Sequence, residues 1–134
     1  MILGIGTDIV DISRINALLD SAGERFVTRS FTEEEQDLAR KRGKQGPYCA
    51  GTLAKRFAAK EACAKALGTG ISGGILFKEI GVTLDQNGAP ALTLTGQALA
   101  RLETLTPADK TPHLHLSLSD EKTCACAMVI IEAR

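Results

Sequence analysis

The segment PYCAGTLAKRFAAKEACAKALG (Pro47–Gly68) decides the fold. A proline at its head suits a helix start, alanine favours helix through its length, and glycine stands where a helix is commonly stopped. The spacing predicts the longest helix of the chain, from about Pro47 to Leu67. At 100° per residue the helical neighbours of Glu61 are Ala50, Ala54, Phe57, Ala58 and Lys65. A small, mostly apolar face therefore carries one carboxylate at its centre, and other elements must pack against that face.

Working outward, Ile2–Val10 is apolar on both alternating faces and reads as a buried strand. A helix is expected from about Ser13, a good N-cap, with Ile12, Ile15, Leu19, Ala22 and Phe26 as its core stripe. Thr32-Glu33-Glu34-Glu35 is a capping box, and the helix it starts frays into Arg40-Lys41-Arg42-Gly43. Gly70, Gly73 and Gly74 mark a loop after the long helix. Ile80–Asp85 and Ala91–Leu94 flank Gln86-Asn87-Gly88, a hairpin signal. A helix is predicted over Gly96–Leu105 and a connector over Pro107–Pro112. In His113–Ser119 the histidines and serines face one way and Leu114, Leu116 and Leu118 the other. Cys124–Glu132 closes as a β-branched strand. Helices and hairpins alternate without regular βαβ units, which makes the class α+β, a long helix packed on an antiparallel sheet.

The 134 residues suit a single domain spanning 1–134. Sixteen basic residues balance sixteen acidic ones, which argues against a generic nucleic-acid binder. The balance is uneven along the chain. Eight of the basic residues lie between Arg40 and Lys65, where Glu61 is the sole acid. No apolar run approaches the ~20 residues of a membrane span. MILGIGTDIV lacks a basic leader and a cleavage site. Cys49, Cys63, Cys124 and Cys126 read as small buried core residues without disulfides or zinc, as in a reduced, cytoplasmic chain.

Three residues carry candidate chemistry. Asp8 lies inside an apolar strand on the face of Ile2, Gly4, Gly6 and Val10, and is either paired, metal-bound, or a cap for the next helix. Glu61 is either an i,i+4 surface partner of Lys65 or a metal ligand with a lysine one turn away. Two carboxylates from different elements suit Mg²⁺, which often takes phosphate oxygens as further ligands. Lys65 and the Gly68-Thr69-Gly70 turn would complete a phosphate site. The Gly4-x-Gly6 pair fails as a dinucleotide fingerprint, since its third glycine is missing and no helix opens there.

Gly4-Ile5-Gly6-Thr7-Asp8-Ile9-Val10, Arg56-Phe57-Ala58-Ala59-Lys60-Glu61-Ala62 and Lys65-Ala66-Leu67-Gly68-Thr69-Gly70 together resemble bacterial holo-[acyl-carrier-protein] synthases of the 4′-phosphopantetheinyl transferase superfamily. Asn87-Gly88-x-Pro90, His115-Leu116-Ser117-Leu118-Ser119 and the Ala125–Glu132 strand continue the match, which is weakest over Gly96–Thr111. Asp11 stands where the family commonly has Glu. The resemblance implies transfer of 4′-phosphopantetheine from coenzyme A to a serine of apo acyl carrier protein, with Mg²⁺, in fatty acid biosynthesis. It also implies a homotrimer with active sites between subunits. By motif, Asp8 and Glu61 would hold Mg²⁺, and Lys65 would contact the pyrophosphate and protonate the leaving group. Arg56, Asn87, Gly88, Pro90 and His115 would surround the 3′-phosphoadenosine, and Gly68, Thr69 and Gly70 would lie beside the phosphates. Glu61 is the candidate base for the serine proton, directly or through a metal-bound water.

Carrier proteins are acidic helical bundles. On the first helix Arg14, Leu18, Ser21 and Arg25 form a stripe that is either solvated or, as in the family, the carrier-docking face. Two rival functions are a coenzyme A or carrier-protein binding module without catalysis and a Mg²⁺-dependent phosphohydrolase. The simultaneous presence of Asp8, Glu61 and Lys65 speaks against a pure binder.

Overall fold

The computed structural model describes residues 1–134, the side chain of Ser72 excepted. The chain runs β1 (Ile2–Asp11), α1 (Ile12–Ala22), α2 (Glu24–Ser30), α3 (Glu33–Lys41), α4 (Ala50–Ala66), β2 (Ile80–Leu84), β3 (Pro90–Leu94), α5 (Gly96–Leu105), β4 (Pro112–Asp120) and β5 (Cys124–Ala133). Strands β1, β5 and β4 form an antiparallel sheet with β5 in the centre, and β2–β3 form a separate hairpin. The α+β class and the long helix on an antiparallel sheet are as expected.

Helix α4 is the hub, packed on both β1 and β5. Its Leu53, Ala54, Ala58, Ala59, Ala62 and Cys63 are completely buried. The helix packs on the inner face of β5, where Ala125, Ala127, Val129, Ile131 and Ala133 are buried at alternate positions. The alanines set how closely helix and sheet approach, and the two glycines of β1 bring them closer still. A Cβ on Gly4 would overlap the Ala66 carbonyl oxygen, and one on Gly6 the Ala62 carbonyl oxygen. The Gly4-x-Gly6 pair is thus a packing device, the close backbone approach that only glycine permits.

The structure corrects several local expectations. The first helix breaks at Gly23, whose φ of 52° few side chains tolerate, so α1 and α2 are distinct and Ala22 is exposed. Asp11 rather than Ser13 precedes α1, with no side-chain cap bond, because β1 runs straight into the helix. A bulge between Ile2 and Gly4 turns Ile2 outward, 63% exposed, off the Asp8 face. Of the four cysteines, all unpaired, Cys63 alone is buried, and Cys126 is exposed. Cys124 and Cys126 do share a face, but it is the outer face of the sheet. The capping box at Thr32 and Glu35 forms as read, and α5 has the expected bounds.

Candidate active site

Gly6 and Asp8 lie on the same face of β1, so the backbone approach that Gly6 permits carries the Asp8 carboxylate to α4. Lys65 reaches from the last turn of α4 and donates to Asp8 Oδ1 at 3.1 Å and to the Thr7 carbonyl at 2.9 Å. Asp8 therefore does not cap α1, and Lys65 bonds Asp8 rather than Glu61. Glu61 is half-buried one turn earlier. Burial and the nearby Asp8 charge raise its pKa, while Arg14 and Lys65 pull it down. The Arg14 guanidinium lies 5.2 Å from the Phe57 ring centroid. Two carboxylates and two cations thus converge where α1, β1 and α4 meet. Among the described residues no third His, Cys, Asp or Glu joins the two carboxylates. That donor set fits an oxygen-loving divalent ion whose other ligands come from water or substrate.

The residues of the basic band occupy unlike environments. Lys60 is fully buried and pairs with buried Glu35 at 2.8 Å, so it adds no field at the surface. Lys55 lies 3.6 Å from Asp120. Arg56 is 3% exposed, and its Nε has no hydrogen-bond partner. Burial and the neighbouring Arg42 charge lower its pKa, with Glu35 opposing. A buried guanidinium with an unused donor and a second arginine nearby is a place for an anion. Arg42 is a member that motif reading did not single out.

The Gly68-Thr69-Gly70 turn ends α4 with positive φ at both glycines. The N–H groups of Gly68, Thr69 and Gly70 donate back to the Lys65 and Ala64 carbonyls at 2.9–3.3 Å. The turn's backbone donors are spent on closing the helix, and the buried Thr69 Oγ1 is the group left without a partner. Arg101 Nε donates to the Leu67 carbonyl at 2.9 Å and secures the same helix end. Asn87 and Gly88 sit at the exposed tip of the β2–β3 hairpin, where Asp85 Oδ1 accepts from the N–H groups of Asn87 and Ala89. Pro90 opens β3.

His115 lies on the outer face of the sheet, opposite the α4-covered face that carries Asp8. Its Nε2 is 2.9 Å from Glu132 Oε2. Arg134 and His115 together hold the Glu132 pKa down at about 2. The register Ile5↔Ile130↔His115 and Thr7↔Met128↔Ser117 defines that outer face. Ile5, Ile9 and Met128 on it are 62%, 68% and 44% exposed. The single chain thus turns His115 away from Asp8, Glu61 and Lys65, with Glu132 on one side of it and exposed apolar residues on the other.

The stripe on α1 and α2 is divided too. Leu18 and Arg25 line a groove of about 700 Å³ between these helices and the Ile71–Lys78 segment. Arg14 stays beside the carboxylates, linked through Phe57 to the groove residue Phe77, whose ring stacks on Phe57 at 5.0 Å. Arg29 and Lys78 complete a basic rim around Phe26 and Phe77. Periodicity does not reveal Arg29, Phe77 and Lys78 as one group, because they come from segments with no shared period.

Residues 4–127 match the family model of the 4′-phosphopantetheinyl transferase superfamily. A curated holo-[acyl-carrier-protein] synthase of Rhodopseudomonas palustris (strain HaA2) is 52% identical over 133 residues, covering 99% of this chain and 94% of that protein. Among solved structures, holo-[acyl-carrier-protein] synthase from Neisseria meningitidis aligns with a TM-score of 0.81 at 43% identity, covering 98% of this chain and 99% of that one. The holo-(acyl-carrier-protein) synthase of Bacillus anthracis str. Ames, solved in complex with CoA (3′,5′-ADP), aligns with a TM-score of 0.75 at 36% identity, covering 98% and 96%.

Proposed function

This chain belongs to the 4′-phosphopantetheinyl transferase superfamily, and from that membership we propose which of its residues perform the reaction. It is a holo-[acyl-carrier-protein] synthase, an enzyme that moves 4′-phosphopantetheine from coenzyme A to a serine of apo acyl carrier protein and leaves adenosine 3′,5′-bisphosphate. Whole-chain likeness to synthases disfavours the module without catalysis. The observation that carries the assignment of roles is the meeting of Asp8, Glu61 and Lys65 at one end of the β1–α4 contact.

Asp8 and Glu61 would hold Mg²⁺, which when bound supplies positive charge to the pyrophosphate of coenzyme A. Lys65, half-exposed beside Asp8, contacts the same pyrophosphate and delivers a proton to the departing phosphate. Glu61 accepts the proton of the carrier serine as its oxygen bonds to phosphorus and the P–O bond to adenosine bisphosphate breaks. Arg56, with Arg42 beside it, takes a phosphate of the nucleotide. Asn87, Gly88, Pro90 and His115 line the nucleotide end, and Gly68, Thr69 and Gly70 flank the phosphates with Thr69 Oγ1 as the available donor.

The outer sheet face supports a homotrimer. Its exposed Ile5, Ile9 and Met128 need cover, and His115 lies on the face turned away from Asp8. A neighbouring copy packed there brings His115 to the nucleotide end of the next copy's site, which puts the site between subunits. The groove between α1–α2 and Ile71–Lys78 receives the carrier: Leu18, Phe26 and Phe77 meet its apolar side chains, and Arg25, Arg29 and Lys78 on the rim, with Arg14 beside the carboxylates, meet its acids. Among the described residues no helix is long and apolar enough to cross a membrane. We place the reaction in the cytoplasm and in fatty acid biosynthesis.

The test is incubation with apo carrier protein, coenzyme A and Mg²⁺, followed by intact mass. The wild type adds one phosphopantetheine group per carrier. Glu61→Ala and Asp8→Ala each lower the rate by ~10²–10⁴ with unchanged circular dichroism. Full activity in either folded variant overturns the roles assigned to these two carboxylates. Consumption of coenzyme A without carrier would mark a hydrolase instead.

A further inference from the structure

Lys60 precedes Glu61 in sequence but points a third of a turn away, into the core. Its Nζ spends three donors inside the protein: on Glu35 Oε2 at 3.1 Å, on the Phe77 carbonyl at 3.1 Å and on the Ile80 carbonyl at 2.6 Å. Glu35 is used as fully, accepting from the Thr32 N–H at 2.8 Å and the Val82 N–H at 2.7 Å. Four segments meet at this pair: the start of α3, the middle of α4, the 3₁₀ turn Phe77–Glu79 and β2. Both lysine-bonded carbonyls bracket that turn.

A buried ion pair is an inefficient way to stabilise a core, because desolvation cancels most of its attraction and apolar residues of the same volume do as well. What the pair does that apolar residues cannot is fix a backbone by direction and distance. The backbone it fixes carries Leu76, Phe77 and Lys78, one wall of the groove facing Arg25 and Arg29. Leu76 is held out at the rim, 65% exposed. The remaining side-chain anchor of that wall is Glu79, which accepts from the N–H groups of Leu76 and Gln97 near the surface.

We propose that the buried Lys60–Glu35 pair is the positioning device for carrier recognition: it sets the Leu76–Lys78 wall against α1 and α2, and so determines affinity for the acceptor protein rather than for coenzyme A. This rests on reading the groove as the carrier's docking site. Lys60 touches neither substrate. It acts through the turn it holds, while its sequence neighbour Glu61 acts at phosphorus.

The experiment uses the double variant Lys60→Met, Glu35→Gln. Methionine fills the space of the lysine stem, and glutamine retains the capping bond to Thr32 while both turn carbonyls are released. Amide hydrogen exchange over 76–79 rises about tenfold or more, with exchange over β5 unchanged. The KM for apo carrier rises about tenfold and the KM for coenzyme A stays within about twofold, a split that general loss of stability does not produce. Lys60→Arg, which keeps the charge against Glu35 but moves the donors, shows the same split in smaller measure if the double variant fails to fold. Unchanged exchange over 76–79, or parallel changes in both KM values, overturns the proposal. Arg29→Ala separates the two readings. If it raises the carrier KM and the Lys60 variants do not, the pair has no such role and the groove stands. If neither moves it, the docking reading and the role built on it both fall.

Discussion

Replacing Gly6 with alanine adds one methyl group where β1 crosses α4. An ideal Cβ there overlaps the Ala62 carbonyl oxygen and stands 2.9 Å from both the Ala62 carbonyl carbon and the Ala66 nitrogen. All three atoms are helix backbone, so no side chain can rotate to make room. Helix and strand must part by on the order of 1 Å to restore ordinary contact. Overpacking of this kind costs ~1–3 kcal/mol, offset in part by ~0.4–1 kcal/mol from the lost freedom of the unfolded glycine. The net expectation is destabilisation of about 1.3 kcal/mol, or roughly 4–7 °C in Tm for a chain of this size. Gly51→Ala is the matched control. It lies in the first turn of α4, and the nearest atom to a Cβ there is Ile12 Cδ1 at 4.0 Å, so the same chemical change stabilises by ~0.5 kcal/mol. Urea titration at fixed protein concentration measures both. Parting β1 from α4 also moves Asp8 from Glu61, so the transfer rate of Gly6→Ala falls below its folded fraction. Equal stabilities for the two alanine variants would refute the close-approach account of the Gly4-x-Gly6 pair.

Two further outcomes follow from the outer sheet face. Glu132 has its pKa depressed to about 2 by Arg134 and His115. Its ionised form is therefore favoured by folding, and the stability it confers is present above its ordinary pKa near 4.5 and lost as pH falls towards about 2. Acid titration of Glu132→Gln shows a shallower loss of stability across that window, and an unchanged slope would contradict the pairing. Ile9→Glu places a charge on a strand position 68% exposed in the single chain. Light scattering should find trimers for the wild type and dissociated protein for the variant, with inter-subunit transfer activity lost in parallel. A variant that stays trimeric and active would show that this face is not the interface.

Periodicity is enough to read the long helix, the hairpin and the alternation of β4, because each pattern lies within a single element. The capping box is legible for the same reason, being a local exchange of hydrogen bonds between Thr32 and Glu35. The break at Gly23 and the exposure of Cys126 are not. The first depends on φ at one glycine, and the second on which sheet face is covered. An apolar strand with two filled faces reads alike whether the second face meets its own chain or a neighbour.

Among the site residues, Glu61 stands out as a carboxylate among alanines, and Asp8 as one within an apolar strand. Motif resemblance extends the set to Arg56, Asn87, Gly88, Pro90 and His115. By itself the sequence determined the residue types, their helical or strand phase, and the family to which those motifs point. Tertiary structure alone decided who meets whom. It assigned Lys65 to Asp8, buried Lys60 against Glu35 out of reach of any phosphate, left Arg56 Nε unused, and turned His115 to the far side of the sheet. The physical reason is that charge on a sequence has no direction. Lys60, Lys65 and Arg56 share one helix and one sign, and only the packing around that helix determines whether each finds a carboxylate, a carbonyl or an open place for an anion.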